Sequence, residues 1–281
     1  FQMCDGVLCD WKRQGPHLRF QYYSTLRQSF NEEALRGKEP PPRFQNSRRR
    51  VIIFKGDKMN NFRMYAPTDT HVKEGLLAQK APLDLSYKHA LIVTTKNISK
   101  GRYGGLEMLR TMLENEGVKV SVFDEISRPL HAGSVLKAAA FAKDNSVDLI
   151  VGHGGAKTID AAKVTGRMVH ENPEFLHAWL SSKYRPPFEN TPVDVISVPT
   201  TPALSASVNH KIYLYNPKGN RYERLKDSSF TPKAALVDPT LLKTLDDETL
   251  YGSLSDTMIK VFDLLSQNVS PLHSDLSKLA M

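Results

Sequence analysis

The string Gly152-His153-Gly154-Gly155-Ala156-Lys157 has the residue types of a phosphate-binding turn. It follows the apolar run at residues 147–151 and opens a helical pattern that contains Asp160 and Lys163. Glycine lets backbone approach a pyrophosphate, and a helix N-terminus offers free N–H groups and the positive end of its dipole. A tight strand-to-helix turn also uses glycine for conformation alone, so the spacing gains its weight from this context. Other chemistry finds less support. The nine histidines are scattered, and no Ser-His-Asp or Cys-His arrangement stands out. Cys4 and Cys9 are the only cysteines, and their spacing is neither that of zinc ligands nor a disulfide framework, so a reducing compartment is expected.

The elements that must position this turn alternate regularly. A buried strand is expected over 89–94, then a helix over 104–116 with Leu106, Leu109, Met112 and Leu113 on one face and Gly117 closing it. Strands are expected over 118–123, 147–151, 193–198 and 234–237, with helices over 134–145, 157–169 and 246–265. Pro186-Pro187 marks a loop, and the segment Asn216-Pro217-Lys218-Gly219-Asn220 is a hairpin turn between 210–215 and a strand near Arg221. The segment 51–54 reads as a short strand and 60–74 as an irregular entry piece. Strands alternating with crossover helices predict the α/β class: a Rossmann-like parallel-sheet N-terminal domain, followed by the start of an all-helical C-terminal one.

Charge adds little to the function. The net charge is +8, but residues 1–60 carry twelve Lys/Arg against six Asp/Glu, and the remainder carries 26 against 24. The basicity belongs to an irregular extension over residues 1–50, which reads as a solvated tail. Arg48-Arg49-Arg50 comes with no aromatic stacking module, so nucleic-acid binding through this segment is the least favoured reading. No apolar run approaches the ~18 residues of a membrane span. The cytoplasm is the expected location. A mitochondrial presequence is the alternative, with Asp5, Asp10, Glu32, Glu33 and Glu39 counting against it, and with Phe1 first no leader can be judged.

The longer string from Gly152 to Lys163 resembles the G-x-G-G-G-[KS]-x-x-D-x-A-K signature of the iron-containing alcohol dehydrogenase and glycerol dehydrogenase superfamily, which includes dehydroquinate synthase. Three further matches fall in order: Ile196-Ser-Val-Pro-Thr-Thr201, Ala235-Leu-Val-Asp-Pro239 and Ser255-Asp256-Thr-Met-Ile-Lys-Val-Phe-Asp263. The resemblance spans about residues 62–265 and divides the chain into the extension 1–50, a nucleotide-cofactor-binding domain at 51–240 and the beginning of a helical metal-binding domain at 241–281.

The resemblance implies that Gly154, Gly155, Ala156 and Lys157 hold the cofactor pyrophosphate, and that Thr200 and Thr201 lie near the nicotinamide. Ala156 replaces the family's third glycine and brings a Cβ towards the phosphate. Many NAD-using members carry an aspartate where this chain has Thr95, followed by Lys96, which tilts the expected cofactor from NAD towards NADP. Asp256 matches a ligand of the family's Fe2+ or Zn2+ ion. Iron-type members place a histidine where this chain has Lys260; glycerol dehydrogenase-type members do not. Both kinds need two later histidines, and only His273 follows Asp256, too close to match either. The metal site is therefore incomplete: the chain is a fragment of a longer enzyme, or it has lost the site. The stretch 202–208 also departs from a glycine-rich segment of iron-type members, which leaves the cleft's shape open.

The implied activity is metal-dependent hydride transfer between NAD(P) and a small alcohol, aldehyde or ketone, with no protein general base identified and a homo-oligomer compatible with it. The rivals are a dehydroquinate synthase-like lyase and a catalytically incomplete nucleotide-binding protein.

Overall fold

In the computed structural model, residues 66–101, 104–181, 185 and 187–266 are described, with side chains as far as Asp263. The extension expected over 1–50, the strand expected over 51–54, Cys4, Cys9 and His273 lie outside the described residues.

The chain runs through β1 (Asp69–Val72), β2 (His89–Val93), the single turn α1 (Lys96–Ser99), α2 (Leu106–Asn115), β3 (Lys119–Phe123) and α3 (Ala132–Asp144). It continues through β4 (Leu149–Gly154), α4 (Ala156–Met168), α5 (Pro173–Ser181), β5 (Asp194–Pro199), β6 (Lys211–Asn216), β7 (Arg221–Lys226), β8 (Ala234–Val237) and α6 (Asp247–Ser266). Six strands form one all-parallel sheet in the order β1-β8-β5-β4-β2-β3, and β6 and β7 pair as an antiparallel hairpin. This is the expected α/β class.

Helices cover both faces of the sheet, which is why β2 and β4 carry the unbroken apolar runs Ala90–Val93 and Leu149–Val151 rather than alternating, and why every residue in them is buried. The two-residue period still decides which face each side chain serves. Leu91, Val93, Ile150 and Val195 pack with α3 and α4, whereas Ala90, Ile92, Val151, Ile196 and Val198 pack with α2. The apolar stripe of α2 is the expected one, with Leu106, Leu109, Met112 and Leu113 all buried.

Two elements depart from expectation. Residues 69–72 fall within the segment read as irregular, yet form the edge strand β1, hydrogen-bonded in parallel to β8. Their sequence, Asp-Thr-His-Val, carries no apolar pattern because the strand is mostly exposed; only pairing makes it a strand. The helix α5 was not anticipated. Its apolar residues Leu176 and Trp179 are buried, and the Asn172 side chain accepts the Glu174 N–H at 3.0 Å in front of its first turn.

The helix α4 is the centre of the α/β unit: every residue from Thr158 to Met168 is buried. Close helix–strand contact requires Gly152, where a Cβ would lie 2.7 Å from the Ala162 Cβ. Asp238, in the Leu-Val-Asp-Pro element, is a structural brace. Its carboxylate accepts the N–H groups of Gly75 (2.9 Å), Leu77 (3.1 Å) and Thr240 (3.0 Å), tying the end of β8 to the chain that leaves β1.

Candidate nucleotide-cofactor site

Because β2, β4 and β5 are neighbours in register, their carboxyl ends bring Thr95, the glycine turn and Thr200-Thr201 side by side. Thr94 Oγ1 donates to the His153 carbonyl at 2.9 Å, and the Thr200 N–H donates to the Gly154 carbonyl at 3.0 Å. Open parallel sheets bind ligands at this edge.

The glycines of the turn have different reasons to be glycine. Gly154 has φ +154°, and its Cβ would meet the Thr158 Cβ at 2.9 Å, so the protein itself demands it. Gly155 is in ordinary extended conformation, and the nearest atom to a Cβ there is Thr201 Cγ2 at 3.4 Å. Nothing in the protein excludes a side chain at Gly155. It is also the N-cap of α4, with no side-chain cap, so no side chain meets the first-turn N–H groups at Ala156 and Lys157. Lys157 is exposed, with Nζ 5.5 Å from the centroid of the Tyr222 ring.

Two hydroxyls at the ends of the neighbouring strands, Thr95 Oγ1 and Thr200 Oγ1, are buried and have no hydrogen-bond partner. Buried polar atoms without partners are uncommon and point to a ligand or ordered water. Thr201 is half-buried. Thr95 and Lys96 line a cleft of about 560 Å³ whose walls include Asp124, Glu125 and Arg128. The Asp124 carboxylate accepts a hydrogen bond from Ser99 Oγ at 2.5 Å.

His153, which the sequence presented only as a variable position of the turn, is fully buried at the end of β4. Backbone of Gly104 and Val198 lies beside its ring, but neither ring nitrogen makes a hydrogen bond of good geometry. Burial holds its pKa down, to about 4, so the ring is neutral at pH 7.

Asp160 and Lys163 act inside the fold rather than on a ligand. The Lys163 ammonium, fully buried, lies 3.1 Å from Asp160 Oδ1, 3.0 Å from the Ala206 carbonyl, 2.7 Å from the Lys211 carbonyl and 3.3 Å from Asn209 Oδ1. Asp160 Oδ2 accepts the Tyr213 N–H at 3.1 Å. Burial pushes the Asp160 carboxyl up and the Lys163 ammonium down, and each charge offsets the shift of the other. The pair fastens the segment after Thr200-Thr201 and the β6–β7 hairpin to α4.

The metal position is different. Asp256 lies half-exposed on α6, paired with Lys260 at 2.5 Å in an i, i+4 ion pair. Among the described residues no three His, Cys, Asp or Glu side chains group as metal ligands. The described residues thus do not fit a divalent ion at Asp256, which has one carboxylate there and a cation beside it. Among the described residues, no helix is long and apolar enough to cross a membrane.

Comparison with known proteins agrees with this layout. The family model for iron-containing alcohol dehydrogenases matches residues 67–239. The long-chain-alcohol dehydrogenase 1 of Geobacillus thermodenitrificans is 27% identical over 233 residues, covering 79% of this chain and 56% of that protein. The NADPH-dependent butanol dehydrogenase of Clostridium saccharobutylicum is 24% identical over 212 residues, covering 75% and 53%. Among solved structures, an iron-containing alcohol dehydrogenase from Thermotoga maritima superposes with a TM-score of 0.67 at 26% identity, covering 78% of this chain and 60% of that one. The chain spans about half the length of the curated relatives it matches. With residues 67–239 matched, from before β1 to the Leu-Val-Asp-Pro element, the chain belongs to the iron-containing alcohol dehydrogenase family.

Proposed function

We propose that the chain binds a nicotinamide dinucleotide with its diphosphate on the Gly154–Lys157 turn, and that it serves hydride transfer between a small alcohol and the corresponding aldehyde or ketone. The observation that carries this reading is Gly155: the fold gives no reason for glycine there, and the space lies at the uncapped N-terminus of α4. First-turn N–H groups and Lys157 would neutralise the diphosphate, and the partnerless Thr95 and Thr200 hydroxyls would complete the cradle. The nicotinamide, when bound, supplies the hydride acceptor.

The cleft beside Thr95 bears on cofactor choice. Thr95 brings no carboxylate, while Lys96 and Arg128 place two cations around the cleft, which favours a ribose 2′-phosphate and hence NADP. Asp124 and Glu125 on the same walls are the groups a ribose diol of NAD would use. The relative named as an NADPH-dependent butanol dehydrogenase supports the first choice. Titration of the chain with NADPH and NADH, followed by nicotinamide fluorescence, decides. Tighter NADPH binding is expected; a clear NADH preference overturns the choice of NADP, and binding of neither overturns the reading itself.

The Asp256–Lys260 ion pair favours a second reading, nucleotide binding without turnover. Alcohol-dependent reduction of NADP+ with added Fe2+ or Zn2+ separates the two. Reduction supports the oxidoreductase, and binding without reduction supports a catalytically incomplete protein or a fragment of a longer enzyme.

A further inference from the structure

Lys157 is exposed, at the start of α4, on a long flexible stem. Such a side chain loses much conformational freedom when it is held against one ligand group. The structure shows what holds it: the ammonium sits over the Tyr222 ring, 5.5 Å from its centroid. Tyr222 lies on β7, directly opposite Tyr215 on β6, so the two rings share one face of the hairpin. They meet edge to face with centroids 5.5 Å apart, and Tyr215 packs in turn against His131 at 5.1 Å and 89°. The result is a continuous ladder from His131 through Tyr215 and Tyr222 to Lys157.

The hairpin that carries this ladder is fixed from several sides. Its other face buries Ile212, Leu214 and Leu225 in the core. Its backbone is bonded to Asp160 and Lys163, two turns or less along the same helix that Lys157 opens. The Tyr215 N–H donates to the Leu130 carbonyl at 2.8 Å, and the Asn216 side-chain amide donates to the Leu180 carbonyl at 3.0 Å. The helix therefore anchors a hairpin whose aromatic face returns to the first turn of that helix. Tyr222 is 44% exposed and has no core-packing task of its own.

We propose that Tyr222 is a positioning residue for Lys157, holding its ammonium beside the glycine turn so that it meets the cofactor diphosphate with little loss of freedom. This rests on the placement of the diphosphate put forward above. The ring acts through the lysine and not by touching the cofactor.

The test is NADPH affinity at low salt for the full chain and four variants: Tyr222→Ala, Tyr222→Phe, Lys157→Met, and the double variant of Tyr222→Ala with Lys157→Met. A cation over an exposed ring predicts that Tyr222→Ala weakens binding by about 2–5-fold. Tyr222→Phe keeps the ring face and stays close to wild type. The double variant is no weaker than Lys157→Met alone, since the two residues act as one unit. In NMR spectra without cofactor, the Lys157 Hε protons are shifted upfield by the ring, and Tyr222→Ala abolishes the shift. Three results overturn the proposal: Tyr222→Ala binding like wild type, Tyr222→Phe weakening binding as much as alanine, or the alanine effect adding in full to that of Lys157→Met. If wild type binds neither NADPH nor NADH, the cofactor reading falls and this proposal with it. Binding that ignores Tyr222 removes only this proposal.

Discussion

His153 makes the sharpest thermodynamic prediction, because replacing it by a residue with fewer capabilities should improve stability. Its ring is fully buried, and neither nitrogen makes a hydrogen bond of good geometry with the Gly104 and Val198 backbone beside it. A buried polar group without a hydrogen bond costs about 1–3 kcal/mol on the scale of protein mutations. Leucine is of similar size and carries no polar atom, so His153→Leu should stabilise the chain by about that amount at pH 7. A second contribution depends on pH. The unfolded ring protonates near its ordinary 6.5, whereas the folded ring resists until about pH 4. Between those values the unfolded state holds more protons, so wild-type stability falls as pH drops through this window. The loss should reach about 2 kcal/mol by pH 5 and about 3 kcal/mol near pH 4. Carboxylates also titrate there, but they are common to both proteins and cancel in the difference. Urea unfolding of wild type and His153→Leu at several pH values from 7 to 4.5 gives that difference directly. It should be positive at pH 7 and widen on acidification. A leucine variant that is less stable at pH 7 would show that the ring nitrogens are bonded, and a pH-independent difference would show that the folded ring keeps its ordinary pKa; either refutes part of the reasoning.

Two further substitutions test the scaffold around the turn. Lys163→Met leaves the Asp160 carboxylate buried with only the Tyr213 N–H, and removes the tie to the Ala206 and Lys211 carbonyls; a loss of about 3–5 kcal/mol is expected in urea unfolding. Gly152→Ala forces a Cβ to 2.7 Å from that of Ala162, so α4 must lift from the sheet, and a loss of about 1–3 kcal/mol should appear in the same assay.

Much of this was legible in the sequence, for identifiable reasons. Strands buried on both faces, such as β2 and β4, announce themselves as short apolar runs, and the glycine turn stood out because a strand precedes it and a helix follows. The strand β1 was not legible, since Asp69–Val72 is an exposed edge whose strand character lies in its partner β8. The helix α5 does carry a local signal: Asn172 before Pro173, Glu174 in the first turn, then apolar residues at helical spacing. The family motif marked Asp160 and Lys163, but their role as a clamp on the hairpin depends on acceptors more than 40 residues away along the chain. The partnerless state of Thr95, Thr200 and His153 is likewise a property of packing, which no local pattern encodes. Asp256 matched the family's ligand by position, and the structure places it in an ion pair with Lys260 without further ligands among the described residues.

The central claim is that the space at Gly155 is kept for a cofactor diphosphate. Gly155→Ala tests it most directly, because its backbone is in a conformation alanine adopts freely and the added Cβ meets only the Thr201 side chain, at 3.4 Å from Cγ2 and 3.6 Å from Oγ1. The variant should unfold at the same urea concentration as wild type, yet bind NADPH at least about tenfold more weakly, a loss of about 1.4 kcal/mol. Gly133→Ala, in the first turn of α3 where a Cβ would meet nothing, is the control: it should leave NADPH affinity unchanged and unfold at the same or a slightly higher urea concentration. Unaltered NADPH affinity in Gly155→Ala would contradict the account.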